Sequence, residues 1–239
     1  MRVIYRISDS GYNKVKPDYI SNESCLKNAL KAFPYNDHYW CVIADNVSDN
    51  TKNMIEKYIH PNKIMHVSIG HGAGTFNIAM DLALNKKLID GTYQLDHPVY
   101  FIENDYLHKE GSDKILQEAL DMGADYATLY DHPDKYLDPQ QGGNPYISGG
   151  GEITRVLMSD STHWKMTNST TMTFATLPST LKEDEDVWRK HTQGTYPKDF
   201  DIFIELRKKN RVLVSSIPGY STHGETAWLA PLTDWEKEV

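Results

Sequence analysis

From residue 3 to residue 130, short apolar runs of strand length alternate with segments whose apolar residues recur every three to four positions. Residues 3–7 form a β-branched run. Leu26, Ala29, Leu30 and Phe33 then fall at helical spacing, with Ser21 placed to cap the helix and Pro34 placed to close it. Residues 39–44 read as a buried strand, and Asp49 as the cap of a helix carrying Met54, Ile55, Tyr58 and Ile59. The pattern repeats with a strand over 64–69 and a helix striped by Phe76, Ala79, Met80, Ala83 and Leu84. A strand over 99–102, a helix through Ile115, Leu116, Ala119 and Leu120 ending at Gly123, and a strand over 126–130 complete it. Such alternation predicts βαβ units, hence an α/β fold with a mostly parallel mixed sheet flanked by helices. In open sheets of this kind ligands bind outside the carboxyl ends of the strands. Polar clusters stand at those ends: Ser8 and Asp9, Asp45 and Asn46, residues 70–74, and residues 103–105.

Beyond residue 130 the rhythm changes. Residues 131–151, rich in Pro, Gly and Asp, predict a long loop, and loops of that length are usually functional or mobile. Short strands follow over 153–158, 163–166 and 170–176, then helices over 181–191 and 200–209. A last strand over 211–217 ends at Pro218. With no internal repeat, residues 1–239 read as one domain. Its nucleotide-fold half is 1–130, and its more antiparallel half is 131–239. The net charge of −8, from 25 basic and 33 acidic residues, argues against a protein that lives on phosphate backbones but leaves a locally basic cleft open. Two cysteines are too few for a disulfide framework or a thiolate metal site. The longest apolar stretch, 39–44, cannot span a bilayer, and the N-terminus turns polar too early for a secretory signal, so a cytoplasmic protein is expected.

Five constellations carry chemistry. Glu103, Asn104 and Asp105 follow a strand, where alternate carboxylates can face one Mg²⁺ or Mn²⁺; the plainer reading is a solvated acidic turn. Residues 45–51 leave a strand for a helix, and turn chemistry accounts for Asp49 better than for Asp45, whose carboxylate stands where a base N–H could be accepted. The Gly-rich run 70–74 between strand and helix serves either tight packing or close approach of an anionic ligand. Asp199 and Asp201 open a helix, where capping is the simple alternative. His223, one of ten histidines, is either a ligand or an ordinary packed residue. Trp164, Tyr146 and Trp228 are suited to stacking on sugar rings or to the core. Asn168, Ser169, Thr170 and Thr171 offer polar groups to an acceptor, or to strand-edge backbone.

Taken in order, these pieces resemble a nucleotide-sugar glycosyltransferase of the GT-A fold, most similar to the family 2 type. The family's DDGSxDxT-like turn corresponds to ADNVSDNT, its DXD motif to ENDY, and its ED-x-D-L-x-L-R-L…P…H run to DFDIFIELRKKNRVLVSSIPGYSTH. The match runs from about Val3 to His223. The chain departs from the pattern at Glu103, Asn104 and Phe200 and in the first strand end, RISDSGY, which suggests a divergent branch similar to small viral and bacterial glycosyltransferases.

The resemblance implies a metal-dependent hexosyl- or pentosyltransferase with a UDP-type donor, inverting at the anomeric carbon. Arg6, Ser8, Asp9, Asp45, Gly72, Asn77, Glu103 and Asn104 are its expected donor-binding residues. Glu103, Asp105 and His223 are the expected ligands of Mn²⁺ or Mg²⁺. Alignment on Arg207 puts the catalytic base on Asp201, with Asp199 as its rival, and Trp164, Asn168 and Thr170 are expected at the acceptor. That acceptor is a glycan or another hydroxyl-bearing molecule, a modified nucleic-acid base included. Two other classes compete. A sugar-1-phosphate nucleotidyltransferase would want a Gly-rich, basic loop after the first strand, and residues 6–11 hold one basic residue, Arg6, and one glycine. A non-catalytic sugar-nucleotide or glycan-binding module would hydrolyse no donor.

Overall fold

A computed structural model describes residues 1–10, 14–85 and 97–239. In its first half β1 (Arg2–Ser8), α1 (Asn22–Ala32), β2 (Tyr39–Asp45), α2 (Asp49–Glu56), β3 (Ile64–Val67), α3 (Gly72–Leu84) and β4 (Val99–Glu103) alternate as the hydrophobic pattern requires. β5 (Tyr106–His108), α4 (Ser112–Asp121) and β6 (Tyr126–Thr128) follow. The second half adds β7 (Val156–Met158), β8 (His163–Met166), β9 (Phe174–Thr176), α5 (Pro178–Glu183), α6 (Glu185–His191), α7 (Asp199–Lys208), β10 (Leu213–Ile217) and β11 (Ser221–His223).

Among the described residues nine strands join in the order β3-β2-β1-β4-β9-β6-β10-β8-β7. β3, β2, β1 and β4 are mutually parallel, as are β6 and β10, and β9 and β8 run against their neighbours. The result is a mostly parallel mixed sheet drawn from both halves of the chain. Its period-two alternation builds two cores. Val3, Tyr5 and Ile7 of β1 with Tyr100 and Ile102 of β4 pack on the face covered by α1 and α4. Ile4 and Phe101 pack on the other, against Phe76, Met80, Trp188 and Phe203 of α3, α6 and α7. By the same alternation Arg6 and Glu103 leave the sheet on the α3 side, and register sets them level: Arg6 opposes Glu103, and Ser8 opposes Asp45.

The local signals mostly placed the elements, with instructive exceptions. Ser21 caps α1, its hydroxyl accepting from the Ser24 N–H while Ser24 returns the bond. The cap of α2 is Ser48, not Asp49, which is the first helical residue. One helix expected over 181–191 breaks in two at Asp184, a fully buried carboxylate that accepts from Tyr126 and Arg211. The strand expected over 170–176 starts at Phe174. A separate two-stranded ribbon of β5 and β11 had no periodic signal, because three residues a side are too few to show one. Both cysteines are free and buried, and burial pushes each thiol up to about 12. Among the described residues no helix is long and apolar enough to cross a membrane.

Candidate active site

The aligned carboxyl ends of β1, β2 and β4 open into a cleft of about 890 Å³, walled also by the start of α3, the start of α7 and the segment after β1. Arg6 forms its inner wall. Its guanidinium lies 3.1 Å from Glu103 Oε1, donates to the Gly72 carbonyl at 3.2 Å and sits over the Phe76 ring. Asn104 donates to the Ser8 carbonyl at 3.2 Å and to the Asn22 amide oxygen, tying the end of β4 to β1 and α1.

The β5–β11 ribbon sets His223 opposite Tyr106 and so beside Asp105. Asp105 Oδ2 lies 3.3 Å from His223 Nε2, 3.3 Å from Lys14 Nζ and 3.3 Å from Lys16 Nζ. Lys14 Nζ is also 2.9 Å from His223 Nε2. Burial alone would raise the Asp105 carboxyl, but the His223 ring and the two ammonium groups outweigh it and hold the group well below the usual carboxylate range. The sequence pattern placed a divalent cation at Glu103, Asp105 and His223, and this arrangement does not fit one. Glu103 is committed to Arg6, and two ammonium groups crowd the Asp105 oxygen that a cation would need. Among the described residues no three His, Cys, Asp or Glu side chains gather to hold a metal.

The expected donor residues divide. Arg6, Ser8, Asp9, Asp45, Gly72, Glu103 and Asn104 all line the cleft. Asp45 and Asp9 are nonetheless engaged. Asp45 accepts from the backbone N–H groups of Ile69 at 2.7 Å and Gly70 at 2.8 Å, pinning the turn after β3. Asp9 accepts from the Ser48 N–H and the Thr51 hydroxyl, each at 2.6 Å, at the start of α2. Burial would raise its carboxyl, but these bonds from Thr51 and Ser48 outweigh it and lower it. Asn77 lies off the cleft, held by Thr192 and Arg189. In the Gly-rich run, Gly70 has φ +80°, whereas a methyl at Gly72 would meet only Pro197 Cδ at 3.6 Å. Gly70→Ala should therefore cost about 1–2 kcal/mol in urea unfolding, from left-handed strain. Gly72→Ala should stay within about 0.5 kcal/mol. Equal losses would refute this division of roles.

Of the two candidate bases, Asp199 lines the cleft and Asp201 does not; Asp201 is exposed on the side of α7 turned away. Two residues on a helix differ by about 200° in direction, so one of the pair must miss. Burial pushes the Asp199 carboxyl up to about 6, and the nearby charge of Glu103 adds to this. Of the residues offered to an acceptor, Thr171 lines the cleft, beside the Tyr106 hydroxyl, whereas Trp164, Asn168 and Thr170 are not brought to it. Trp164 is fully buried in the core, its indole N–H bonded to Ser159. Asn168 exchanges amide bonds with Asn144 at 2.9 and 3.1 Å, and Thr170 donates to Thr128. These residues satisfy buried neighbours, the alternative that their polarity left open. Lys14 and Lys16, which no motif singled out, are the main additions. Their signal was two lysines in alternation eight to ten positions past Arg6, outside residues 6–11 at the end of the first strand.

No protein-family model matches the sequence, and no curated protein matches it. Among solved structures the chain is similar to the galactosyltransferase LgtC in complex with donor and acceptor sugar analogues. Identity is 11% and TM-score 0.44, over 86% of this chain and 69% of that one. An active-site mutant of LgtC gives the same figures. It is also similar to 4-diphosphocytidyl-2C-methyl-D-erythritol synthase from Anaerococcus prevotii, at 13% identity and TM-score 0.49, over 97% of this chain and 91% of that one. Likenesses this distant carry no argument about activity, and the chemistry rests on the cleft's own groups.

Proposed function

We propose that the cleft binds a nucleotide-sugar of the UDP type and transfers its sugar, with inversion, to the hydroxyl of an acceptor such as a glycan or a modified nucleic-acid base. One observation carries this reading: a carboxylate raised to about 6, Asp199, stands in one cleft with the cationic groups of Arg6, Lys14 and Lys16, at the carboxyl ends of parallel strands. The cleft volume of about 890 Å³ suits a ligand of this size. In the proposed reaction the acceptor oxygen forms a bond to the anomeric carbon as the bond from that carbon to the diphosphate oxygen breaks. Asp199 takes the hydroxyl proton, and the diphosphate leaves with the bonding electrons toward the cationic wall.

A second reading has its own support. Lys14 and Lys16 supply the basic groups after β1 that a sugar-1-phosphate nucleotidyltransferase would want for a triphosphate. The two separate by product. Incubation with a set of UDP- and GDP-sugars should release the nucleoside diphosphate from a UDP-sugar, faster with added acceptor. Pyrophosphate released from a nucleoside triphosphate and a sugar-1-phosphate, with no turnover of any nucleotide-sugar, would replace the glycosyltransferase reading. No turnover of either kind, with binding retained, would leave a sugar-nucleotide-binding module.

A further inference from the structure

We infer that Lys14 and Lys16 stand in for a divalent cation, so that the cleft takes a diphosphate without a metal. The inference rests on the nucleotide reading above and concerns how that ligand is held. Two unit positive charges converge on one Asp105 oxygen, matching the charge of the cation that the sequence pattern led one to expect there. Each ammonium offers three N–H donors, and phosphate oxygens are pure acceptors.

The segment that bears the lysines is built for this. Its residues alternate: Val15, between the two lysines, is 76% exposed and points away, and its carbonyl accepts from the Thr226 N–H at 2.9 Å. That bond ties the segment to the chain just past His223. Asp105 is fixed from the other side, its carbonyl accepting from the Gly224 N–H. The Asp105 side chain is 11% exposed, against 21% for Lys14 and 35% for Lys16. The carboxylate is thus set behind the amines, which reach the cleft on flexible four-carbon stems. Asp105 acts as the counter-ion that holds both amines while the cleft is empty. An entering diphosphate takes over the amines by ion exchange, and no bond to Asp105 is needed.

The metal and lysine schemes then give opposite results for the same substitution. A metal ligand lost in Asp105→Asn weakens diphosphate binding, whereas a counter-ion lost there removes a competitor. The test is calorimetry on the full chain with UDP, GDP and inorganic pyrophosphate in EDTA, and with the nucleotides again in Mn²⁺. Expected are pyrophosphate binding in EDTA, and nucleotide dissociation constants in EDTA and Mn²⁺ within about threefold of each other. Lys14→Met and Lys16→Met should each weaken binding about tenfold, the loss of one charge-assisted hydrogen bond. Asp105→Asn should bind at least as tightly as the parent, with circular dichroism confirming that each variant is folded. Nucleotide binding that appears only with Mn²⁺, or is unmoved by both lysine substitutions, overturns the inference and leaves the donor reading standing. Pyrophosphate bound through the lysines in EDTA with no nucleotide bound in any condition keeps the lysine site and overturns the donor reading. No binding of any of the three overturns both. The metal comparison uses the unsubstituted chain, so it decides the matter even if a variant fails to fold.

Discussion

Asp199→Asn is expected to remain folded, bind its nucleotide normally and lose about 10²–10⁴-fold in turnover, the contribution typical of a positioned general base. Asp201→Asn should turn over within about threefold of the parent, since an exposed residue turned away from the cleft has no proton to take. The difference follows from one feature of α7: its first residue points into the cleft and its third does not. Burial pushes the Asp199 carboxyl up to about 6, so the group is mostly ionised at neutral pH yet basic enough to accept a proton in the transition state. The kcat/KM profile should therefore rise with pH through about 6 and flatten above it. The Asn variant should lose that limb. Stability carries the opposite sign. A carboxyl raised on folding binds its proton more tightly in the folded chain, so its contribution grows as pH falls through about 6 toward the usual carboxylate range. Asn at this position should flatten that dependence, read from thermal melting against pH. If Asp201→Asn is inactive and Asp199→Asn is not, the cleft is not where transfer occurs. If both merely melt earlier, the carboxylates only cap the helix.

The same pair shows what a sequence of this kind discloses. Strand and helix existence was legible because each buried element repeats its apolar residues several times; α1 shows a four-residue stripe and a cap, β2 and β4 are apolar up to a final carboxylate, and β1 is apolar but for Arg6 between its first and last residues. Strand ends were legible too, so the cleft's address, with Arg6, Asp45 and residues 103–105 around it, followed from alternation alone. Facing was not. The Arg207 alignment favoured Asp201, and a shift of two residues on a helix reverses which side chain meets the ligand. Contacts between distant segments were less legible still. That Lys14 meets Asp105 and His223 depends on a ribbon of two three-residue strands and on one backbone bond from Thr226 to Val15. Hydrophobic periodicity reports none of these.

Lys165→Met should cost about 3–5 kcal/mol in urea unfolding, as expected when one member of a buried ion pair is removed. Lys165 and Asp131 are each about 2% exposed, and Lys165 Nζ lies 2.7 Å from Asp131 Oδ1. Tyr136 donates to both Asp131 oxygens, at 2.9 and 2.7 Å, and accepts from Lys165 at 3.1 Å. The pair joins β8 to the first residue of the Pro- and Gly-rich stretch 131–151, which composition alone marked as a long loop, functional or mobile. Further along, Lys135 donates to Ser169 at 2.8 Å, and Asn144 bonds Asn168 and Ser169. Asn168 and Ser169, expected to meet an acceptor, are thus spent on holding this stretch down. Removing the lysine charge leaves Asp131 buried with, among the described residues, only the Tyr136 hydroxyl to satisfy it. In Lys165→Met with Asp131→Asn the Asp131 charge is gone and Tyr136 still has an acceptor, while Glu152, 3.9 Å from Lys165 Nζ in the parent, loses its ammonium partner in both variants alike. The double variant should therefore be more stable than Lys165→Met alone, and its loss smaller than the sum of the two single losses. Limited proteolysis should track the same order, with cleavage within 131–151 rising most in Lys165→Met. A loss under about 1 kcal/mol for that variant would instead mean that the stretch is held elsewhere, by the bonds of Lys135 and Asn144 to Ser169 and Asn168.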